Sequence, residues 1–392
     1  MQDIVITGAK RTPMGGFLGE FSKLPAPTLG ATAIAAALGD ASCAPSTVDE
    51  VLMGLVLSAG VGQAPARQAS LGAGVPKNVP ATTISKVCGS GMKTICQGFD
   101  MIRAGSAQTI VAGGMESMTQ SPYLSCDVRG GARLGHRQIL DHMFLDGLQD
   151  AYEDGALMGV FAERCATKYQ LTRAQQDTYA LTSLSRAIAA QDTGAFADEI
   201  EPVPVTTKGK THLVSQDEQP LKARPDKIPL LKPAFADNGT VTAANASSIS
   251  DGAAALVLAS RATAEANEMP IRAKIVGWAA HAHDPDWFTT APIPATQNLL
   301  CQLGWSVEDV DLWEVNEAFA VVPIVFMQQL GVPHEKLNIN GGACALGHPI
   351  GASGARIVVT LLHAMEARDL KRGIAAICIG GGEGLAIAIE RE

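Results

Sequence analysis

The sequence predicts an α/β fold built from a duplicated strand–helix unit, with helices shared between parallel sheets and a loop-rich insertion between the two copies. Three observations lead to this. Apolar strand-like runs alternate with helical stretches near both ends of the chain, in the same order. Two pairs of segments echo each other: Val48-Asp-Glu-Val-Leu-Met-Gly with Val310-Asp-Leu-Trp-Glu-Val-Asn, and Thr109-Ile-Val-Ala-Gly-Gly with Ala376-Ile-Cys-Ile-Gly-Gly. Between the copies, residues 121–248 lose the alternation.

In the first copy the expected elements are strand Asp3–Thr7, helix Leu29–Leu38, strand Val48–Gly54, a helix after Cys88 that runs to about Arg103, and strand Thr109–Gly114. The second copy has strand Ala273–Trp278, a helix around Thr296–Leu303 and strand Val310–Val315. A Gly-rich loop, Asn340–Gly354, a helix to about Arg368 and strand Ile374–Gly380 complete it. Near-continuous apolar strands between helices are the pattern of a parallel sheet covered on both faces. The domains are therefore drawn as an N-terminal α/β half, 1–120, completed by 249–267; an inserted loop domain over the active face, 121–248; and a C-terminal α/β half, 268–392. The insertion carries amphipathic helices around Ala162–Tyr169 and Arg173–Asp192. Its residues 206–232 hold six Lys/Arg against three Asp/Glu, a basic stretch suited to phosphate.

Composition narrows the function classes. Hydrophobic residues make up 47% and charged residues 18% of the chain, enough for a large core. A net charge of −9 lacks the basic footprint of a general nucleic-acid or anionic-membrane binder. No apolar run approaches the ~18 residues of a membrane span, and the opening Met1-Gln-Asp-Ile-Val-Ile-Thr has no signal-peptide pattern, so a cytoplasmic location is expected. The eight cysteines are scattered without a Cys-x-x-Cys pair, against both a disulfide framework and a metal site. Six of them (43, 96, 126, 165, 301 and 344) read as small buried hydrophobes.

The other two carry chemistry. Cys88, in Val87-Cys-Gly-Ser-Gly-Met-Lys, lies at a strand-to-helix junction, where a helix N-terminus favours thiolate and lowers the thiol pKa. Cys378 ends an apolar strand before Gly380, Gly381 and Gly382, whose backbone N–H groups are free to meet an oxyanion. His348, in Leu346-Gly-His-Pro-Ile-Gly-Ala-Ser-Gly, sits on a loop stiffened by Pro349, a setting for general acid–base work. Asn316, in Val315-Asn-Glu-Ala-Phe, offers an amide donor for a carbonyl oxygen or for a water.

Taken together, in this order and spacing, these motifs resemble the thiolase family. Arg11-Thr-Pro-Met-Gly, Gly113-Gly-Met-Glu-Ser-Met, Lys232-Pro-Ala-Phe and Gly239-Thr-Val-Thr-Ala-Ala-Asn-Ala-Ser extend the resemblance over essentially the whole chain. It implies a thiolase-type α/β/α/β/α layered fold and reversible Claisen condensation of two acetyl-CoA to acetoacetyl-CoA and CoA, or thiolysis of short 3-oxoacyl-CoA.

By the same resemblance, Cys88 carries the acyl group and His348 activates it. Asn316 holds a water in one oxyanion site, Cys378 moves the α-proton, and the amides of Cys88 and Gly380 form a second oxyanion hole. Coenzyme A enters as part of the acyl-CoA substrate, no other cofactor is implied, and its matching contacts are Leu148, Met158, Ala234, Phe235, Ser247, Ala318 and Phe319. Phe288 falls at the acyl pocket. Two positions depart from the family. Leu157 stands where many members have histidine, and Asp217-Glu-Gln-Pro-Leu-Lys lacks the adenine-stacking arginine, leaving Lys222 or Arg224 for that end of the ligand. Arg129–Met143 resembles the loop that joins two dimers, which implies a homotetramer.

Three alternatives share parts of this pattern. A 3-ketoacyl-CoA thiolase of β-oxidation would use the same residues on longer chains. A β-ketoacyl synthase would lack a second reactive cysteine. A non-catalytic CoA-binding scaffold would have lost some of the four groups.

Overall fold

Side chains along the strands alternate between two apolar cores, and this alternation sets the layering of the molecule. The computed structural model describes residues 3–392. Among them are the strands β1 (Ile4–Arg11), β2 (Glu50–Gly54), β3 (Ala81–Ile84), β4 (Thr109–Ser117), β5 (Ser250–Ser260), β6 (Ala273–Ala282), β7 (Leu312–Val315), β8 (Arg372–Ile379) and β9 (Glu383–Glu390). With the two-residue strand Gly15–Gly16 they form a ten-stranded sheet ordered β7-β8-β9-β6-β1-β5-β4-β2-β3. The helices that shape the site are α1 (Ala26–Asp40), α2 (Ser90–Arg103), α3 (Met158–Lys168), α4 (Arg173–Asp192), α5 (Pro292–Leu303) and α6 (Ser353–Ala367).

Val5, Val111 and Val257 face Leu29, Ile34 and Ala37 of α1, while Ile6, Ile110, Leu256 and Leu258 face the opposite side. There they meet Met92, Ile95 and Phe99 of α2 and Ile357, Val358 and Leu361 of α6. Leu385, Ile387 and Ile389 of β9 reach the same central core, and Ala386 and Ala388 face outward toward Leu299 of α5. The layers are thus α1, half of the sheet, α2 with α6, the other half, and α5. Helix burial follows this position. The middle helix α6 is buried from Ser353 to Met365, whereas α1 buries one face only.

The expectation of parallel sheets is corrected by the strand pairing. Only β2/β3, β2/β4 and β7/β8 run parallel. The pairs β1/β5, β4/β5, β6/β9 and β8/β9 are antiparallel, and the pairing of β1 with β6 at Ile4–Ile6 makes the two halves one continuous sheet. Strands β5 and β9 each lie antiparallel to the strand before them, β5 after a long excursion and β9 after a short turn, so no simple strand–helix–strand crossover announces either.

The duplication appears as matching order: β2, β4, β5 and β1 correspond to β7, β8, β9 and β6. The connection differs. Gly380–Gly382 joins β8 to β9, whereas residues 118–249 join β4 to β5. The long excursion therefore stands where the second copy has a three-residue turn.

Arg11, at the end of β1, fastens this excursion. Its buried guanidinium meets Glu199 at 2.5 Å and Asp217 at 2.7 and 2.9 Å, and lies 4.9 Å from the centre of the Phe196 ring. Asp217 also accepts the Met14 N–H at 2.8 Å. Of the six cysteines read as buried hydrophobes, Cys43, Cys96 and Cys165 are buried and Cys344 is half-buried. Cys126 and Cys301 are exposed, a correction: the first lies in an exposed loop and the second on the outer face of α5.

Removing the Arg11 cation strands two buried carboxylates, which costs far more than an intact pair contributes. Arg11→Ala is expected to lower unfolding stability by roughly 3–5 kcal/mol in urea titration. A loss below about 1 kcal/mol would mean that water reaches Glu199 and Asp217.

Candidate active site

The N-terminal ends of α2 and α6 touch. A Cβ placed on Gly354 would lie 2.4 Å from the Met92 nitrogen, and one on Gly91 would lie 2.8 Å from the Ala355 nitrogen. Only glycine fits at either position. Because Cys88 precedes α2 and His348 precedes α6, this contact brings the two motifs together although they are remote in sequence.

Cys88 sits in a tight turn. Val87 has φ 45°, the Ser90 hydroxyl accepts the Lys86 N–H at 2.8 Å, and it donates to the Val87 carbonyl at 2.7 Å. Burial pushes the Cys88 thiol up to about 11, against hydrogen bonds from the Gly380 amide and its own amide that pull it down. This corrects the expectation of a thiol lowered by the helix end. Helix α2 begins at Ser90, two residues on, and desolvation dominates.

His348 is also buried, and burial aided by the Arg356 cation pushes its imidazole down to about 3. Its Nδ1 lies 2.5 Å from the Ser353 hydroxyl, which in turn reaches the Pro349 carbonyl at 3.0 Å. Satisfying both bonds at once requires Nδ1–H to donate to Ser353 and Ser353 to donate to Pro349. That tautomer leaves Nε2, which has no protein partner, with a free lone pair. The resting pair is therefore a thiol and a neutral base.

Cys88, His348 and Gly380 line one cavity of about 370 Å³. So do all seven residues matched to coenzyme A by resemblance (Leu148, Met158, Ala234, Phe235, Ser247, Ala318 and Phe319), together with Leu157 and Phe288. Phe288 closes one wall, edge-on to Phe161 and Phe319 with ring centres 6.4 Å apart in each pair. A second groove of about 300 Å³ shares Ala243 and Ser248 with this cavity and carries Lys222, Arg224 and Lys227. Lys222 is paired with Glu218.

Cys378 and Asn316 do not line the cavity. Cys378 is fully buried at the end of β8, and burial raises its thiol well above the ordinary range, with the neighbouring Cys88 adding to the shift. Asn316 follows β7 and donates its backbone N–H to the Ala376 carbonyl at 2.9 Å. Its side-chain oxygen and nitrogen are both buried without a protein partner. Its donor and acceptor capacity is therefore free for a water or a ligand.

Three positioning residues lie inside the same sequence motifs, beside the residues with evident chemistry. Besides Ser353, Glu116 accepts the N–H groups of Val56, Leu57 and Gly351 at 3.0–3.2 Å, tying the histidine loop to the loop after β2. Glu317, next to Asn316, accepts from Tyr179, Ser183, Asn338 and the Cys344 amide at 2.7–3.0 Å. The signal available was a carboxylate inside an apolar motif, which implies buried donors. Among the described residues no group of three or more His, Cys, Asp or Glu is placed to hold a metal ion, and no helix is long and apolar enough to cross a membrane.

This fold and this cysteine–histidine site are those of an acyl-transfer enzyme, and the chain belongs to the thiolase family: the thiolase N-terminal domain matches residues 4–262 and the thiolase C-terminal domain residues 269–391. It is 48% identical to the acetyl-CoA acetyltransferase of Pseudomonas aeruginosa, over 100% of both chains. The crystal structure of the Bacillus anthracis acetyl-CoA acetyltransferase superposes with a TM-score of 0.97 at 39% identity, covering 100% of this chain and 99% of that one. The Acat5 thiolase of Ascaris suum in complex with coenzyme A superposes with a TM-score of 0.93 at 42% identity over 100% of both.

The buried neutral imidazole has a consequence for stability. Below pH 6.5 the unfolded chain binds a proton at this histidine and the folded site does not until about pH 3, so folding stability falls as the solution is acidified. Each pH unit in that window costs about 1.4 kcal/mol. Between pH 6.5 and 5, His348→Gln is expected to lose about 2 kcal/mol less than the native chain in urea titrations. Parallel losses in the two proteins would mean that the folded imidazole protonates freely.

Proposed function

We propose that this chain is an acetyl-CoA acetyltransferase that reversibly condenses two acetyl-CoA into acetoacetyl-CoA and CoA by a ping-pong route through acetyl-Cys88. The observation that carries this is the convergence of Cys88, His348 and Gly380 on one apolar cavity, with Cys378 beside Cys88 and the unpartnered Asn316 amide two residues from the lining residue Ala318. Coenzyme A is handled as part of the substrate and no separate cofactor takes part. The basic groove beside Ser248, with Lys222, Arg224 and Lys227, suits the nucleotide end of the ligand. Leu148, Met158, Ala234, Phe235, Ser247, Ala318 and Phe319 enclose its narrower arm.

The protons balance as follows. His348 Nε2 takes the Cys88 proton as the sulfur attacks the acetyl carbonyl, and the departing CoA sulfur takes a proton from Cys378. The Cys378 thiolate so formed removes an α-proton from the second acetyl-CoA, and the resulting carbanion attacks the acetyl-Cys88 carbonyl. Collapse expels the Cys88 sulfur, which recovers its proton from the imidazolium. The oxyanions face the Asn316 side in one half and the Cys88 and Gly380 amides in the other. Each such donor is worth about 3–4 kcal/mol of transition-state stabilisation.

The roles separate by mutation. Cys88→Ala should abolish both the acetyl adduct and turnover, because no other group holds the intermediate. Cys378→Ala should still accept acetyl from acetyl-CoA on Cys88 but fail to condense, and His348→Ala should slow both steps. Intact-mass spectrometry beside a condensation assay reads all three. An adduct that survives in Cys88→Ala and vanishes in Cys378→Ala would reverse the assignment.

Phe288, held by Phe161 and Phe319, favours short acyl chains. Acetoacetyl-CoA is the expected best substrate in thiolysis. A higher kcat/KM with 3-oxodecanoyl-CoA would point instead to the longer-chain reading of fatty-acid degradation.

A homotetramer in the cytoplasm completes the reading. Leu134 and Ile139, in the segment matched to the dimer-joining loop, are 89% and 70% exposed in the single chain, an apolar surface that suits burial between subunits. Light scattering at micromolar concentration should give four chains per particle, and dimers alone would remove that role from the loop.

A further inference from the structure

Lys86 and Glu383 form an ion pair across the two halves of the molecule. We infer that this pair is a positioning clamp that sets the Cys88 turn against the Gly380 turn, and so the register of nucleophile, oxyanion donor and Cys378. The inference rests on the proposed acyl-transfer role of Cys88.

Each end of the pair is fixed by backbone geometry. On one side, the Lys86 carbonyl accepts the Gly89 N–H at 3.0 Å and its N–H donates to Ser90 at 2.8 Å, so Lys86 closes the turn that holds Cys88. On the other side, Glu383 opens β9, paired with Ile379 of β8 and with Ala282 of β6. Between Ile379 and Glu383 lie three glycines, of which Gly381 and Gly382 have φ of 88° and 85°. A glycine turn of this kind is the least restrained connection the backbone can make.

Gly380 must nevertheless keep its amide on the Cys88 sulfur, and Cys378 must keep its distance from the same atom. Apolar contact supplies part of this restraint, since a Cβ on Gly89 would lie 2.4 Å from Ile379. Apolar contact resists compression but does little to stop the turns sliding along each other. A charged pair fixed at both backbones supplies that direction.

The pair is partly exposed, with 22% of the Lys86 side chain and 37% of the Glu383 side chain accessible. Pairs of this kind add little to global stability. Its removal should therefore act on the site and spare the fold.

Lys86→Met, Glu383→Gln and the reversed pair Lys86→Glu with Glu383→Lys are compared with the native chain by steady-state kinetics and by amide hydrogen exchange of peptides covering 84–91 and 378–385. Both single variants should melt within roughly 3 °C of native. Their kcat for condensation should fall about tenfold or more with KM within about twofold. Exchange in both peptides should quicken, and the reversed pair should restore exchange and most of kcat. Single variants with native kcat or native exchange, or a reversed pair no better than the singles, overturn the clamp. If the native chain proves inactive toward acetyl-CoA, the acyl-transfer reading fails, and the exchange measurements decide the clamp by themselves.

Discussion

Contact between two helix ends governs this molecule. At Gly91 and Gly354 the backbones of α2 and α6 approach so closely that a methyl group on either would press on the other helix's main-chain atoms. The Gly351 carbonyl just before α6 is pressed in the same way toward Gly114 of β4, where a Cβ would lie 2.1 Å from it. Remote segments thus share a volume that admits no side chains. The same contact brings the residues just before each helix, Cys88 and His348, to one cavity. The geometry of the site and the packing of the core are consequently one constraint, since loosening the helix pair would separate Cys88 from His348.

Burial, more than charge, sets the chemistry of the site. Desolvation holds Cys88 as a thiol and His348 as a neutral base, and it raises Cys378 in the same way. In the proposed reaction a charge-separated state is made from these neutral groups and is stabilised only where donors already wait. Those donors are visible: the Gly380 amide at the Cys88 sulfur, and a buried Asn316 amide whose own hydrogen-bonding groups are unsatisfied. Ser353, Glu116 and Glu317 contribute indirectly, by leaving the histidine loop and the Asn316 loop one orientation each.

The two halves are alike in their sheets and unlike in their loops. Where the C-terminal half turns from β8 to β9 through Gly380–Gly382, the N-terminal half sends out residues 118–249. The short connection supplies backbone donors, and the long one supplies the walls of the cavity, including Leu148, Met158, Phe235 and Ser247. So large an excursion needs its own anchors. The buried Arg11–Glu199–Asp217 cluster ties it to β1, and the Glu163 carboxylate, which accepts the Thr240 and Val241 N–H groups at 2.7–2.9 Å, ties two of its own segments together.

The sequence by itself determined the α/β class, the duplication and the motifs of Cys88 and His348, which meet at the cavity; the other lining residues were matched through the family resemblance, and Cys378 and Asn316 lie outside the lining. The first three depend on local signals: apolar runs, glycine-bounded loops, and reactive side chains in rigid motifs. The wholly parallel pattern did not follow, because β5 and β9 each pair antiparallel with the strand before them, β5 after the long excursion and β9 after a three-glycine turn, and neither connection is a simple strand–helix–strand crossover. The direction of the Cys88 shift was equally out of reach, since a motif shows the nearby helix end but not how much water the folded chain removes. The tautomer of His348, the donors around Glu116 and the ion pair of Lys86 with Glu383 likewise belong to the tertiary structure. Each joins segments far apart in the chain, and the strength of a hydrogen bond or charge depends on distances and desolvation that exist only after the chain has closed upon itself.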